Sequence, residues 1–97
     1  METKTAYEKK LQAQIDEWRA EIDKLKAIAD QAEAETQIEY NQQIDKLSSY
    51  ENMANRKLAE IREAGDDAWK DLKSGAENAM KSLESALKSA ASRFRND

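Results

Sequence analysis

Between Thr5 and Ala64 the sequence contains neither glycine nor proline. These two residues are the strongest backbone punctuation a chain has. Glycine enters left-handed turns freely, and proline removes an amide donor and clashes with the preceding helical turn. A stretch this long without either reads as helix if its apolar residues recur with a helical period. They do. Leu11, Ile15, Trp18, Ile22, Leu25, Ala29 and Ala32 follow one another at alternating steps of four and three. That is a heptad seam with Ile15, Ile22 and Ala29 at a and Leu11, Trp18, Leu25 and Ala32 at d. Tyr7 and Ile28 widen it at g. After Ala32 the phase slips by one residue. A second seam runs through Tyr40, Ile44, Leu47, Glu51, Ala54, Leu58 and Ile61, and the step from Ala29 to Ile44 is one position longer than two heptads. Such a stretched repeat locally relaxes left-handed supercoiling.

The first strong interruption is Ala64-Gly65-Asp66-Asp67. Gly65 suits a left-handed position after a helix, and Asp66 or Asp67 can cap the helix that follows. Thr5-Ala6-Tyr7-Glu8 matches a capping box at the other end. The expected layout is one all-α domain over 1–97: a long helix over about 5–64, a turn at 65–67, and an amphipathic return helix over about 67–94. The return helix carries the stripe Trp69, Leu72, Ala76, Ala79, Met80, Leu83, Ala86, Leu87, Ala90 and Phe94. Glu77–Lys81 and Glu84–Lys88 stand in the favourable i,i+4 order on another face. Folding this helix back about Gly65–Asp66 pairs residues whose numbers sum to about 131. Leu83 then faces Leu47, Leu87 faces Ile44, Leu72 faces Leu58, Trp69 faces Ile61 and Ala90 leaves room for Tyr40. Tyr40, Ile44, Leu47, Leu58 and Ile61 thus pack against Trp69, Leu72, Leu83, Leu87 and Phe94 in an antiparallel αα-hairpin.

A return helix of that length, at about 1.5 Å per residue, covers the long helix only back to about residue 37. Leu11, Ile15, Trp18, Ile22, Leu25 and Ala29 are then left without a partner in the same chain. Much of the apolar content is alanine, and large apolar side chains are few for a self-sufficient core in a chain of 97 residues. Self-association through this seam, as a dimer or small helical bundle, is therefore expected. The alternative division breaks the long helix near residue 36, with Thr36–Glu39 as a cap, and gives a monomeric three-helix bundle.

The chain has no Cys and no His. That excludes a disulfide framework, a thiolate zinc site, an HExxH metal site and a Ser-His-Asp triad. The carboxylate pairs Asp66/Asp67, Glu17/Glu21, Asp30/Glu33 and Glu35/Glu39 read as solvated faces and caps, since acid–base work needs a desolvated member. The acidic stretch 27–45 lacks the loop oxygens of a dedicated Ca²⁺ site. No catalytic, cofactor-binding or metal-binding residue is expected. Net charge is −4 with bases interleaved among acids, which argues against nucleic acid as a partner. The longest apolar run, Ala27–Ala29, is far short of a membrane span. No secretory leader pattern follows Met1, so the expected location is the cytoplasm. The segment 67–95 has the period of a membrane-surface helix, but its polar face is rich in Ser and mixed in sign, and packing on the first helix explains the same stripe.

Four blocks carry a resemblance: Tyr7-Glu8-Lys9-Lys10-Leu11, Glu21-Ile22-Asp23-Lys24-Leu25, Asp67-Ala68-Trp69-Lys70-Asp71-Leu72-Lys73-Ser74-Gly75 and Ala91-Ser92-Arg93-Phe94. Through them the chain resembles small bacterial coiled-coil proteins of proteobacteria and cyanobacteria described as stress-response proteins. The similarity spans nearly the whole chain, and its most specific part is the Ala-Trp-x-Asp-Leu-Lys block with its glycine. The resemblance implies a helical, cytoplasmic protein tied to stress, with no catalytic residue to carry over. The functional expectation is a non-enzymatic coiled coil acting by self-association or through a protein partner. The alternative is an amphipathic chain, like late-embryogenesis proteins or apolipoproteins, that protects membranes or proteins.

Overall fold

The computed structural model describes the backbone of residues 3–96 and the side chains of residues 3–94. Over these residues the chain forms three helices, α1 (Lys4–Asp30), α2 (Ala34–Glu63) and α3 (Ala68–Asn96), with no strand among them. The body is about 51 Å long and 17 Å across. Rising numbers on α1 meet falling numbers on α2: Lys4 reaches Ala64, Gln12 meets Arg62 and Arg19 meets Glu51. The two helices are therefore antiparallel. Tyr40 of α2 lies against Phe94 of α3, so that pair is antiparallel too, and Tyr7 against Trp69 makes α1 and α3 parallel.

The all-α expectation holds, but a single helix over 5–64 is not present. The chain leaves the helical path at Gln31–Glu33, just before Thr36. Nothing in the backbone chemistry of those residues demands a break, so the cause lies in burial. In a continuous helix Tyr7, Leu11, Ile15, Ile22 and Leu25 would project beyond the reach of α3. Folded back, all five are buried in one core shared by the three helices. Each such burial stabilises by roughly 1.5–3 kcal/mol. The helical hydrogen bonds given up at the turn are worth about 0.5–1.5 kcal/mol each. Part of that loss is recovered, because the Gln31 and Ala32 amides donate to the Ile28 and Ala29 carbonyls at 3.2 and 3.1 Å. Burial wins by a wide margin.

The helix ends differ from the expected ones in instructive ways. Thr3, not Thr5, caps α1, its hydroxyl accepting from the Ala6 amide at 3.1 Å. The turn at Gly65–Asp67 is where it was expected, but neither glycine adopts a positive φ. The left-handed role assigned to Gly65 is replaced by an extended Ala64 (φ −75°, ψ 148°), which ends α2 at Glu63. The Gly65 carbonyl then accepts from the Trp69 amide at 3.2 Å, and α3 starts at Ala68.

Candidate functional site

The six residues assigned to an intermolecular seam fall inside the chain's own core. Leu11, Ile15, Ile22, Leu25 and Ala29 are buried, and Trp18 is half-buried against the same cluster. This removes the reason for which they were assigned to another copy, since α2 and α3 of the same chain now cover them. The residues assigned to hairpin packing lie where α2 and α3 meet. Tyr40, Ile44, Leu47, Leu58, Ile61, Trp69, Leu83, Leu87 and Phe94 are buried, while Leu72 is half-buried at the edge. Tyr40 stacks on Phe94, with ring centroids 3.9 Å apart and planes at 20°. Ala90, the expected neighbour of Tyr40, is one helical turn before Phe94 on the same face and is also buried.

The three seams between helices are not closed alike. Polar ties from α1 run to α2. Lys4 Nζ donates to the carbonyls of Ala64 at 2.6 Å and Arg62 at 3.0 Å, a cation on the negative end of α2. Arg62 donates to Gln12 at 2.7 Å, and Arg19 pairs with Glu51 at 3.4 Å. The α1–α3 seam is closed at one end by the Tyr7 and Trp69 rings, 5.5 Å apart, with the Lys73 ammonium 5.2 Å from the Tyr7 ring centre. Beyond that aromatic latch it opens into a groove of about 300 Å³ floored by Leu11, Trp18 and Met80. Lys10 and Gln14 form the α1 rim; Glu77, Lys81 and Glu84 form the α3 rim.

Two features had no sequence signal. Lys4 sits 60 positions from its acceptor, and a lysine in a first helical turn gives no hint of reaching the end of another helix. The groove is a property of side-by-side packing in three dimensions. Ile28, counted as widening the first seam, is 44% exposed, and Ile38 is 63% exposed; both flank the α1–α2 turn. The carboxylates Asp66, Asp67, Glu17, Glu21, Asp30, Glu33, Glu35 and Glu39 all face solvent. Among the described residues no group of three or more His, Cys, Asp or Glu side chains is placed to hold a metal ion. Among them, too, no helix is long and apolar enough to cross a membrane. The arrangement offers contact surface: an aromatic and thioether floor between rims of mixed charge, at the seam between α1 and α3.

Comparison with protein-family models, with curated proteins and with solved structures found no match in any of the three.

Proposed function

We propose that the chain is a non-catalytic helical association module that pairs with a second copy of itself, in the bacterial stress setting its sequence resemblance suggests. The supporting observation is the state of α1. It carries the most regular heptad seam in the chain. It is tied to α2 by hydrogen bonds and the Arg19–Glu51 ion pair, and beyond the Tyr7–Trp69 contact it meets α3 across an open groove over Trp18 and Met80. A helix that borders an open groove along part of one edge is readily re-paired, and its a/d pattern suits any surface that offers the same holes.

The test is molar mass by light scattering over a wide range of protein concentration. The expected result is a rise from the mass of a single chain, 11.1 kDa, towards twice that value. A mass fixed at the single-chain value at every concentration refutes self-association. Circular dichroism with and without anionic vesicles separates the membrane-protective alternative. Full helicity without lipid supports the association module, whereas a disordered chain that becomes helical only on vesicles supports the other class.

A further inference from the structure

We propose that the second copy is engaged by exchange of α1: the turn at Gln31–Glu33 opens, α1 and α2 join into one helix, and α1 docks on α2 and α3 of the other chain. This rests on the self-association reading and specifies its mode. Three observations carry it.

The turn is barely a turn. Gln31 keeps a near-helical backbone (φ −94°, ψ −6°), and Glu33 has a helical φ of −63° with only its ψ, 156°, out of range. Restoring the helix needs no large change at Gln31 and, at Glu33, a change in ψ. Gln, Ala and Glu are all good helix formers, and no Gly, Pro or Asn holds the bend. The start of α2 is also unsupported, since Glu33 makes no side-chain capping bond. Short hinges of this kind favour exchange of an element between copies.

The open chain cannot stand alone. Its seam of Leu11, Ile15, Ile22 and Leu25 would face water. The surface that covers these residues in the closed chain exists unchanged on a second copy. Docking there re-forms the same core, with Lys4 on the end of α2, Arg19 on Glu51 and Tyr7 on Trp69, each now between chains.

The phase slip between the two seams fits this form. At about 3.6 residues per turn, the extra position between Ala29 and Ile44 leaves the second seam rotated by about 60° from the first in a continuous helix. One long helix facing a single partner would have to absorb that offset. In an exchanged pair the two seams belong to different bundles, so the offset only sets the angle between them. The joined helix, Lys4–Glu63, would be about 90 Å long at about 1.5 Å per residue, against 51 Å for the closed body.

The absence of cysteine makes the test clean. Arg19→Cys with Glu51→Cys places two thiols across the α1–α2 seam, joined by a short bismaleimide in the isolated dimer fraction. An exchanged dimer gives a covalent product of twice the chain mass on a denaturing gel. A dimer of closed chains gives only internally linked single chains, which overturns the exchange and leaves self-association standing. No dimer at any concentration overturns both.

Ala34→Pro is the second arm. In the closed form residue 34 is the first of α2, where proline is well accommodated, and the extended Glu33 before it is what proline prefers. In the joined helix the same proline is interior and removes a hydrogen bond. The expected outcome is a dimerisation constant lowered by roughly a hundredfold or more per hinge, with an undiminished melting temperature for the monomer. A dimer that persists unchanged in Ala34→Pro overturns the proposal.

Discussion

Gly75 is the position where a single methyl group tests the geometry most directly. It lies inside the unbroken helix α3, and its φ is not positive. From sequence alone it could mark a kink or a close approach of two helices, and either would make it indispensable. The structure supports neither. A β-carbon built at residue 75 meets only the Cε and Nζ atoms of Lys57, both at 4.0 Å, which is ordinary van der Waals contact with the free end of a flexible side chain. The Lys57 ammonium, 3.6 Å from Glu60, keeps its partner. Gly75→Ala therefore gains helix propensity of about 0.8–1 kcal/mol without a steric penalty. Part of that gain arises in the unfolded chain, which has fewer conformations to lose.

For a domain of this size, about 1 kcal/mol raises the melting temperature by roughly 4–8 °C. Thermal and urea unfolding followed by far-ultraviolet circular dichroism measure it, with the urea slope unchanged because the surface exposed on unfolding is the same. The sign is what discriminates. Were α2 and α3 in contact at residue 75, the added methyl would overpack the seam and cost about 1–3 kcal/mol. A midpoint that stays put or falls in Gly75→Ala would refute the α2–α3 geometry described above.

Three further outcomes follow from particular contacts. Ile22→Ala truncates a side chain only 1% exposed, and should destabilise by about 2–5 kcal/mol. In dilute monomer that loss should not vary with concentration; a loss seen only where dimer is populated would place Ile22 at an intermolecular contact. Lys4→Met should cost about 0.3–1 kcal/mol by uncapping the α2 terminus, less at high salt, as urea midpoints at two ionic strengths will show; no change at low salt would mean the Lys4 contacts contribute nothing. A double-mutant cycle of Tyr40→Leu and Phe94→Leu should return a coupling of about 0.5–1.5 kcal/mol for the stacked rings, and additive losses would contradict the stack.

What could be read from residues alone divides along one physical line. The turn at Gly65 was legible because it has local chemistry, although the residue that actually turns out of the helix is Ala64. The α2–α3 pairing was legible because two apolar stripes of matching length flank a short loop. Leu83 and Leu47, paired by numbering about that turn, are among the most completely buried side chains. The break at Gln31–Glu33 was legible only as the alternative division near residue 36, and its position was missed by a few residues because Gln31, Ala32 and Glu33 themselves prefer helix. It is imposed from a distance, by the need to cover Ile15 and Ile22. That need does not specify whose surface does the covering. Burial energy depends on the area removed from water, so the same heptad pattern serves a bundle closed within one chain and one completed between two. What separates them is the turn. A short tether keeps α1 at an effective concentration near α2 and α3 that is of millimolar order. The closed form therefore prevails in dilute solution unless the hinge is strained. Each helical hydrogen bond missing at 31–33 weighs the other way, at about 0.5–1.5 kcal/mol. Two such hinges straighten in every exchanged pair, so a few unmade bonds are enough to bring the two arrangements into competition at accessible concentrations. The helix preference of Gln31, Ala32 and Glu33 thus weighs on the side of the exchanged arrangement proposed above, against the tether that favours the closed one.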